Sequence, residues 1–140
     1  MFFSAEALLK TYIESWVPAG TKVLSANTLT NDENGQPVPS IRVIYSGFNV
    51  VEQKYSAAHI RQNWVIVVTV ENYTLPLQGH KKREDADSLC DLILSKLINY
   101  EVAPGYTGLR LQESPEAEYS ARAMRIPFIF STDFDLTGVC

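Results

Sequence analysis

The sequence predicts an α+β domain: a mostly antiparallel sheet of about four to five strands with two helices, the longer one packed on one face. Three observations predict it. Ala86, Leu89, Cys90, Ile93, Leu94, Leu97 and Ile98 recur at helical spacing over three turns. The run NWVIVVTVENY is apolar on both sides, with Trp64, Ile66, Val68 and Val70 on one and Val65 and Val67 on the other. Such a strand belongs in the centre of a sheet. The elements also come in the order helix, two or three strands, helix, two strands, which suits helices laid over an antiparallel sheet.

Each element has its own signal. Ser4 can cap a helix from about Ala5 to Trp16, whose apolar residues Ala5, Leu8, Leu9, Tyr12, Ile13 and Trp16 follow i, i+3, i+4 spacing. Pro18 and Gly20 stop it. Thr21 to Leu24 is a short strand candidate. Asn27 to Ser40 is rich in turn residues and contains Asn34-Gly35, so it reads as an exposed loop or a long hairpin tip. Ile41 to Ser46 alternates as a strand. Phe48 to Ala58 reads as either an irregular connection or a second short strand. The long helix is placed from about Glu84 to Asn99, and Pro104 and Gly105 break the chain after it. Leu109 and Leu111 alternate in a short strand. The run AEYSARAMRIPFIFST forms one long last strand, in which Pro127 implies an edge position or a bulge.

With 140 residues, the chain suits a single domain, 1–140. A domain near this length hides roughly 70% of its unfolded surface. Apolar residues make up 46% and charged residues 20%, an ordinary soluble composition. The net charge of −4 argues against general attraction to nucleic acid, so any DNA contact must be a local patch. Tyr119 and Phe128, on the last strand with Arg122 and Arg125, could stack bases. One packed face beside a face of solvated arginines is the plainer reading. The start Met1-Phe2-Phe3-Ser4 lacks the pattern of a signal peptide, and the run Trp64 to Val70 is too short to span a bilayer.

The search for chemistry finds little. No phosphate loop, nucleophile elbow or HExxH motif is present. His59 and His80 have no ligand-like neighbour at i+3 or i+4, and no paired donors start a zinc site. Cys90 and Cys140 have no metal or redox spacing; they read as a buried thiol and a free end, in keeping with a reducing compartment. Asp87 and Asp91 share a helix face and could hold a cation. The stronger reading is that Glu84, Asp85 and Asp87 open the helix, where anions meet the positive end of its dipole. On that reading Lys81, Lys82 and Arg83 belong to the loop before it, as solvated charge or as a contact.

The amphipathic first helix ending in Trp16, IRVIYSG at Ile41 to Gly47, NWVIVVTV, the helix Glu84 to Asn99 and the closing YSARAMRIPFIFSTDF together resemble the phage tail terminator, or tail completion, proteins, particularly those of phages with Mu-like contractile tails. The likeness spans roughly Leu8 to Phe134. It implies a structural virion protein and no enzyme; since the sequence carries no cofactor or metal motif, no cofactor and no metal are expected. It implies α+β subunits that close into a hexameric ring on the finished tail tube, stop its polymerisation and offer a surface for head joining. The implied partners are further copies of the chain, tube and possibly sheath proteins, head-side connectors, and DNA passing through the lumen without sequence-specific binding. The implied place is the head-proximal end of the virion tail, and the host cytoplasm during assembly. Other readings are a different neck protein, or a small α+β domain binding nucleic acid or a ligand. On the ring reading, Lys81, Lys82 and Arg83 are a candidate lumen or partner contact. Arg122, Arg125, Phe128, Phe130 and Leu136, on a long strand near an edge and the tail after it, are a candidate subunit interface.

Overall fold

A computed structural model describes residues 4–25, 39–71, 76–119 and 123–137. The chain is α+β, with two helices and a six-stranded, mostly antiparallel sheet. Helix α1 is Ser4–Glu14 and buries Ala5, Leu9 and Ile13, one residue per turn along a single stripe. It ends two residues before the expected Trp16. There Val17 N donates to the Ile13 carbonyl, and Gly20 takes φ 91° in the turn that follows. Strand β1, Lys22–Ser25, pairs parallel with β2, Ser40–Lys54. The predicted loop Asn27 to Ser40 lies almost wholly outside the described residues.

Strands β2 and β3 (Ala57–Glu71) form one long hairpin. Lys54 faces Ala57, so the connection is the two residues Tyr55 and Ser56. Of these only Tyr55 has positive φ, 55°, a value that tight two-residue hairpin turns call for at their first central residue. The ambiguous stretch Phe48 to Ala58 is therefore the outer half of this hairpin. Two β-bulges explain why its pattern misleads. Ser46 and Gly47 stand opposite Asn63, with Gly47 at φ 104°, and an extra residue, Val51, is inserted between Val50 and Glu52. Each bulge shifts the alternation by one residue. Ile41, Val43 and Tyr45 share the face of Trp64 before the first bulge, whereas Phe48 and Val50 do so after it.

Strand β3 is central, as its two apolar faces require: β2 flanks it on one side and β6, Ala123–Thr137, along its full length on the other. The sheet exceeds the expected strand number because β6 carries two short partners on its outer side, β4 (Arg110–Leu111) and β5 (Glu118–Tyr119). The predicted single last strand is thus two. Tyr119 pairs back onto Met124, so the chain reverses between them. Pro127 tolerates its place because odd-numbered residues of β6 direct their backbone groups outward. The Ile129 carbonyl accepts from Gln112 N, and Ile129 N donates to Ser114 Oγ. The donor that proline lacks would point to this outer side, between β4 and β5, and not into the ladder with β3.

Helix α2 spans Pro76–Leu97 and begins eight residues before the expected Glu84. Proline suits a first helical turn, whose N–H groups have no partner within the helix. Lys81, Lys82 and Arg83 therefore lie inside the helix and not in a loop before it. Glu84, Asp85 and Asp87 fall beyond the first turn, so the dipole argument for them fails. The helix ends at left-handed Asn99, φ 65°. Asn99 N donates to the Leu109 carbonyl, and Leu109 N to the Tyr100 carbonyl. Gly108 lies so close that an added Cβ would sit 2.9 Å from the Asn99 carbonyl oxygen.

One apolar cluster joins Leu9 and Ile13 of α1 and Leu89, Ile93 and Leu97 of α2 to Ile41, Val43, Trp64, Ile66, Val68, Phe130 and Phe134 of the sheet. Both helices thus serve one sheet face. Tyr12 stacks on Tyr100 at 3.6 Å and its hydroxyl donates to the Lys96 carbonyl, fastening α1 to the end of α2. On the opposite face Ile44, Val65, Val67 and Ile129 stay half-buried, with no helix over them among the described residues.

Candidate functional site

The outer end of the β2–β3 hairpin is an arm that buries little of itself. From Phe48 to Ala57 every residue is exposed. Phe48 is 47% exposed, Val50 51%, Val51 49% and Tyr55 91%. Leu136, across the sheet opposite Ala58, is 42% exposed. Strand β1 covers β2 only from Ser40 to Val43, so beyond Val43 the outer edge of β2 has no partner strand among the described residues. Exposed apolar side chains along an open strand edge favour association with another chain.

A charged clamp fixes the base of this arm. His59 and Arg61 alternate on β3 and face Asp135 and Asp133 of β6 directly across the ladder. His59 Nδ1 lies 2.7 Å from Asp135 Oδ1, and His59 Nε2 lies 3.0 Å from Asp133 Oδ2. Arg61 grips Asp133 with two hydrogen bonds, Nε to Oδ1 at 2.9 Å and an Nη to Oδ2 at 3.1 Å. Arg110, brought by β4, adds a third at 3.0 Å. A neutral imidazole has one N–H donor, so donating to both carboxylates at once requires the imidazolium form of His59, which this geometry favours. Its pKa is raised, first by the hydrogen bond to Asp135 and then by that to Asp133. Burial would raise the Asp133 carboxyl, but the bonds from Arg61 and His59 and the charges of Arg61 and Arg110 outweigh it and bring the pKa to about 2. Both histidine nitrogens are spent on carboxylates, which leaves neither free to act as a base. The arrangement ties β3, β6 and β4 together.

The helix-free face carries a second feature. Arg42 of β2 faces Val67, and Arg125 of β6 faces Thr69, two residues further along the same side of β3. Arg42 is only 9% exposed, and its Nε has no hydrogen-bond partner. No ion pair reaches it among the described residues. Burial, then the charge of Arg125, lowers its pKa.

The residues singled out from the sequence fall in different places. Lys81, Lys82 and Arg83 lie in the second turn of α2. Arg122 lies outside the described residues. Arg125 is half-buried on the helix-free face; Phe128 is half-buried against the core on the other. Phe130 is 0% exposed and belongs to the core of the subunit, so its side chain does not reach the surface. Leu136 lies on β6, beside the base of the arm and opposite Ala58. Of the two cysteines, Cys90 is half-buried on α2, where burial and the charges of Asp87 and Asp91 push its thiol up to about 11; Cys140 lies outside the described residues. Sequence reasoning missed the clamp. Its signal was the pair of alternating charged triplets, His59-Ile60-Arg61 and Asp133-Phe134-Asp135, which match only once the antiparallel register is known.

Among the described residues no three His, Cys, Asp or Glu side chains come together as a metal site, and no helix is long and apolar enough to cross a membrane. No curated protein matches the chain. The family described as phage tail terminator protein matches residues 1–138, nearly the whole length. This chain belongs to the phage tail terminator family, and its role is that of a structural protein of the phage tail.

Proposed function

We propose that copies of this chain close into a six-fold ring on the head-proximal end of the finished tail tube. The ring ends tube polymerisation and presents a surface for head joining, with DNA passing through its lumen. The observation that carries this reading is the arm. A subunit that worked alone would not keep Phe48, Val50, Val51 and Tyr55 in water along an open strand edge. A ring needs heterologous contacts that close, and an arm extending from one subunit to the next is a way to make them.

Within the ring, Arg125, Phe128 and Leu136 keep the interface role expected of them, together with Arg122, and Phe48 and Val50 join them. Phe130 leaves the set because it is buried within the subunit. Lys81, Lys82 and Arg83 form a basic belt when repeated six times. Facing the lumen it would meet DNA backbone charge without reading sequence; facing outward it would meet an acidic partner. Phage lacking the gene should make overlong tails without heads, and tails of normal length would refute the assignment. Replacing Lys81, Lys82 and Arg83 with Ser should impair head joining or infectivity while leaving the fold intact. Unchanged infectivity would mark the cluster as solvated charge.

A further inference from the structure

Two surfaces of this chain are each incomplete, and each offers what the other lacks. The helix-free face presents Ile44, Val65 and Val67, half-buried and apolar, around the nearly buried Arg42. A guanidinium does not give up its charge at ordinary pH, so a buried one with no carboxylate beside it among the described residues stands at a disadvantage. The neighbour that the fold supplies, Arg125, is itself a cation and deepens that disadvantage. The arm presents the complementary chemistry. At the second bulge Val51 and Glu52 follow each other on β2, with Glu52 opposite His59, and Tyr55 stands at the tip. All three are exposed.

We infer that the arm of one copy lies across the helix-free face of a second copy, with Val51 and Tyr55 on the apolar strip and the Glu52 carboxylate against the Arg42 guanidinium. The arm and its receiving face are different surfaces of the same chain. The contact is therefore head-to-tail, the type that generates a ring when the rotation closes. The face suits protein better than DNA. A nucleic-acid surface is a continuous basic stripe, whereas this face interleaves aliphatic side chains and carries Asp133 and Asp135 at its arm end. Among the exposed carboxylates Glu52 is favoured because it adjoins exposed apolar side chains on a strand edge that has no partner strand there among the described residues. The inference rests on the ring reading and names the contact that would build the ring.

The test uses the full-length protein added to tail tubes, with capped ends counted by electron microscopy and ring mass measured in parallel. Glu52→Arg lies on the exposed arm opposite His59, so it should lower the thermal midpoint only slightly while cutting capping by at least about tenfold, as expected for one charge pair lost. Arg42→Met removes a buried charge that has no ion-pair partner among the described residues. It should match or raise the midpoint of the subunit and still lower capping. Glu52→Arg combined with Arg42→Glu in one chain should recover capping, because each interface then regains a pair of opposite sign. Wild-type capping by Glu52→Arg or by Arg42→Met overturns the contact, as does a folded double variant that fails to recover. Rings that ignore these substitutions reject this interface alone, whereas wild-type protein that caps no tubes rejects the ring reading beneath it.

Discussion

The two halves of the β2–β3 hairpin are made of the same strands but serve different ends. In the inner half, Ile41, Val43, Trp64, Ile66 and Val68 are sealed under two helices. In the outer half, Phe48, Val50, Val51 and Tyr55 stand in water on an arm held by the clamp at its base. The outer half is the more polar, with Asn49, Glu52, Gln53 and Lys54 among its residues. Yet Phe48, Val50, Val51 and Tyr55 are large apolar or aromatic side chains like those of the inner half, so side-chain type alone does not explain why these stay exposed. What separates them is whether the subunit itself supplies a cover. The inner half makes the fold, and the outer half is left for something outside the subunit.

Substitutions sharpen that division, and the inner half should give the largest effects. Phe130→Ala or Trp64→Ala should cost about 3–5 kcal/mol of stability, since each empties a fully buried aromatic site. Denaturant unfolding measures it, and a loss below 1 kcal/mol would mean that the core is not as described. Gly108→Ala forces a methyl group onto the Asn99 backbone, which cannot yield as a side chain tip would. About 1–3 kcal/mol should be lost, the usual cost of overpacking, with a lowered thermal midpoint as the readout.

The clamp lies between the two halves and should show an intermediate effect. Asp133→Ala leaves Arg61 and Arg110 without their shared carboxylate. Because both arginines are partly in water, the loss should fall near 1 kcal/mol, the low end for hydrogen bonds to charged groups. The clamp also has a pH signature. The pKa of His59 is raised above its ordinary 6.5, so its contribution is complete below that pH and fades as pH rises through the raised value. Asp133 is depressed from 3.8 to about 2, so its contribution holds above its ordinary value and fades as pH falls towards the lower one. Thermal midpoints should therefore pass through a plateau between these limits. His59→Asn should remove the alkaline slope and leave the acid one; an unchanged alkaline slope would assign it to another group.

The smallest effect on stability belongs to the arm. Phe48→Ser or Val50→Ser should change unfolding free energy by no more than about 0.5 kcal/mol, as for surface sites. The same variants should reduce capping of tail tubes. A large loss of stability would mean that the arm is part of the subunit's own core.

What the sequence reveals follows the same line. Trp64 to Val70 and Ala86 to Ile98 were legible because burial by the subunit itself imposes a regular period. Phe48 to Ala58 was not, because the bulges at Gly47 and Val51 break the alternation on which a strand is recognised. The start of α2 was hidden because its first two turns, from Pro76 to Arg83, lack an apolar stripe. Phe130 looked like an interface residue because a strand near an edge suggested a neighbour, yet the short β4 and the helices already enclose it. The clamp was invisible because its partners are 74 and 76 residues apart in sequence and meet only through strand register.

The most direct test is to add the purified chain to polymerising tail tubes and follow tube length by electron microscopy. The account predicts tubes that stop growing and carry a ring at one end. Tubes that continue to lengthen, with no density added at their ends, would contradict it.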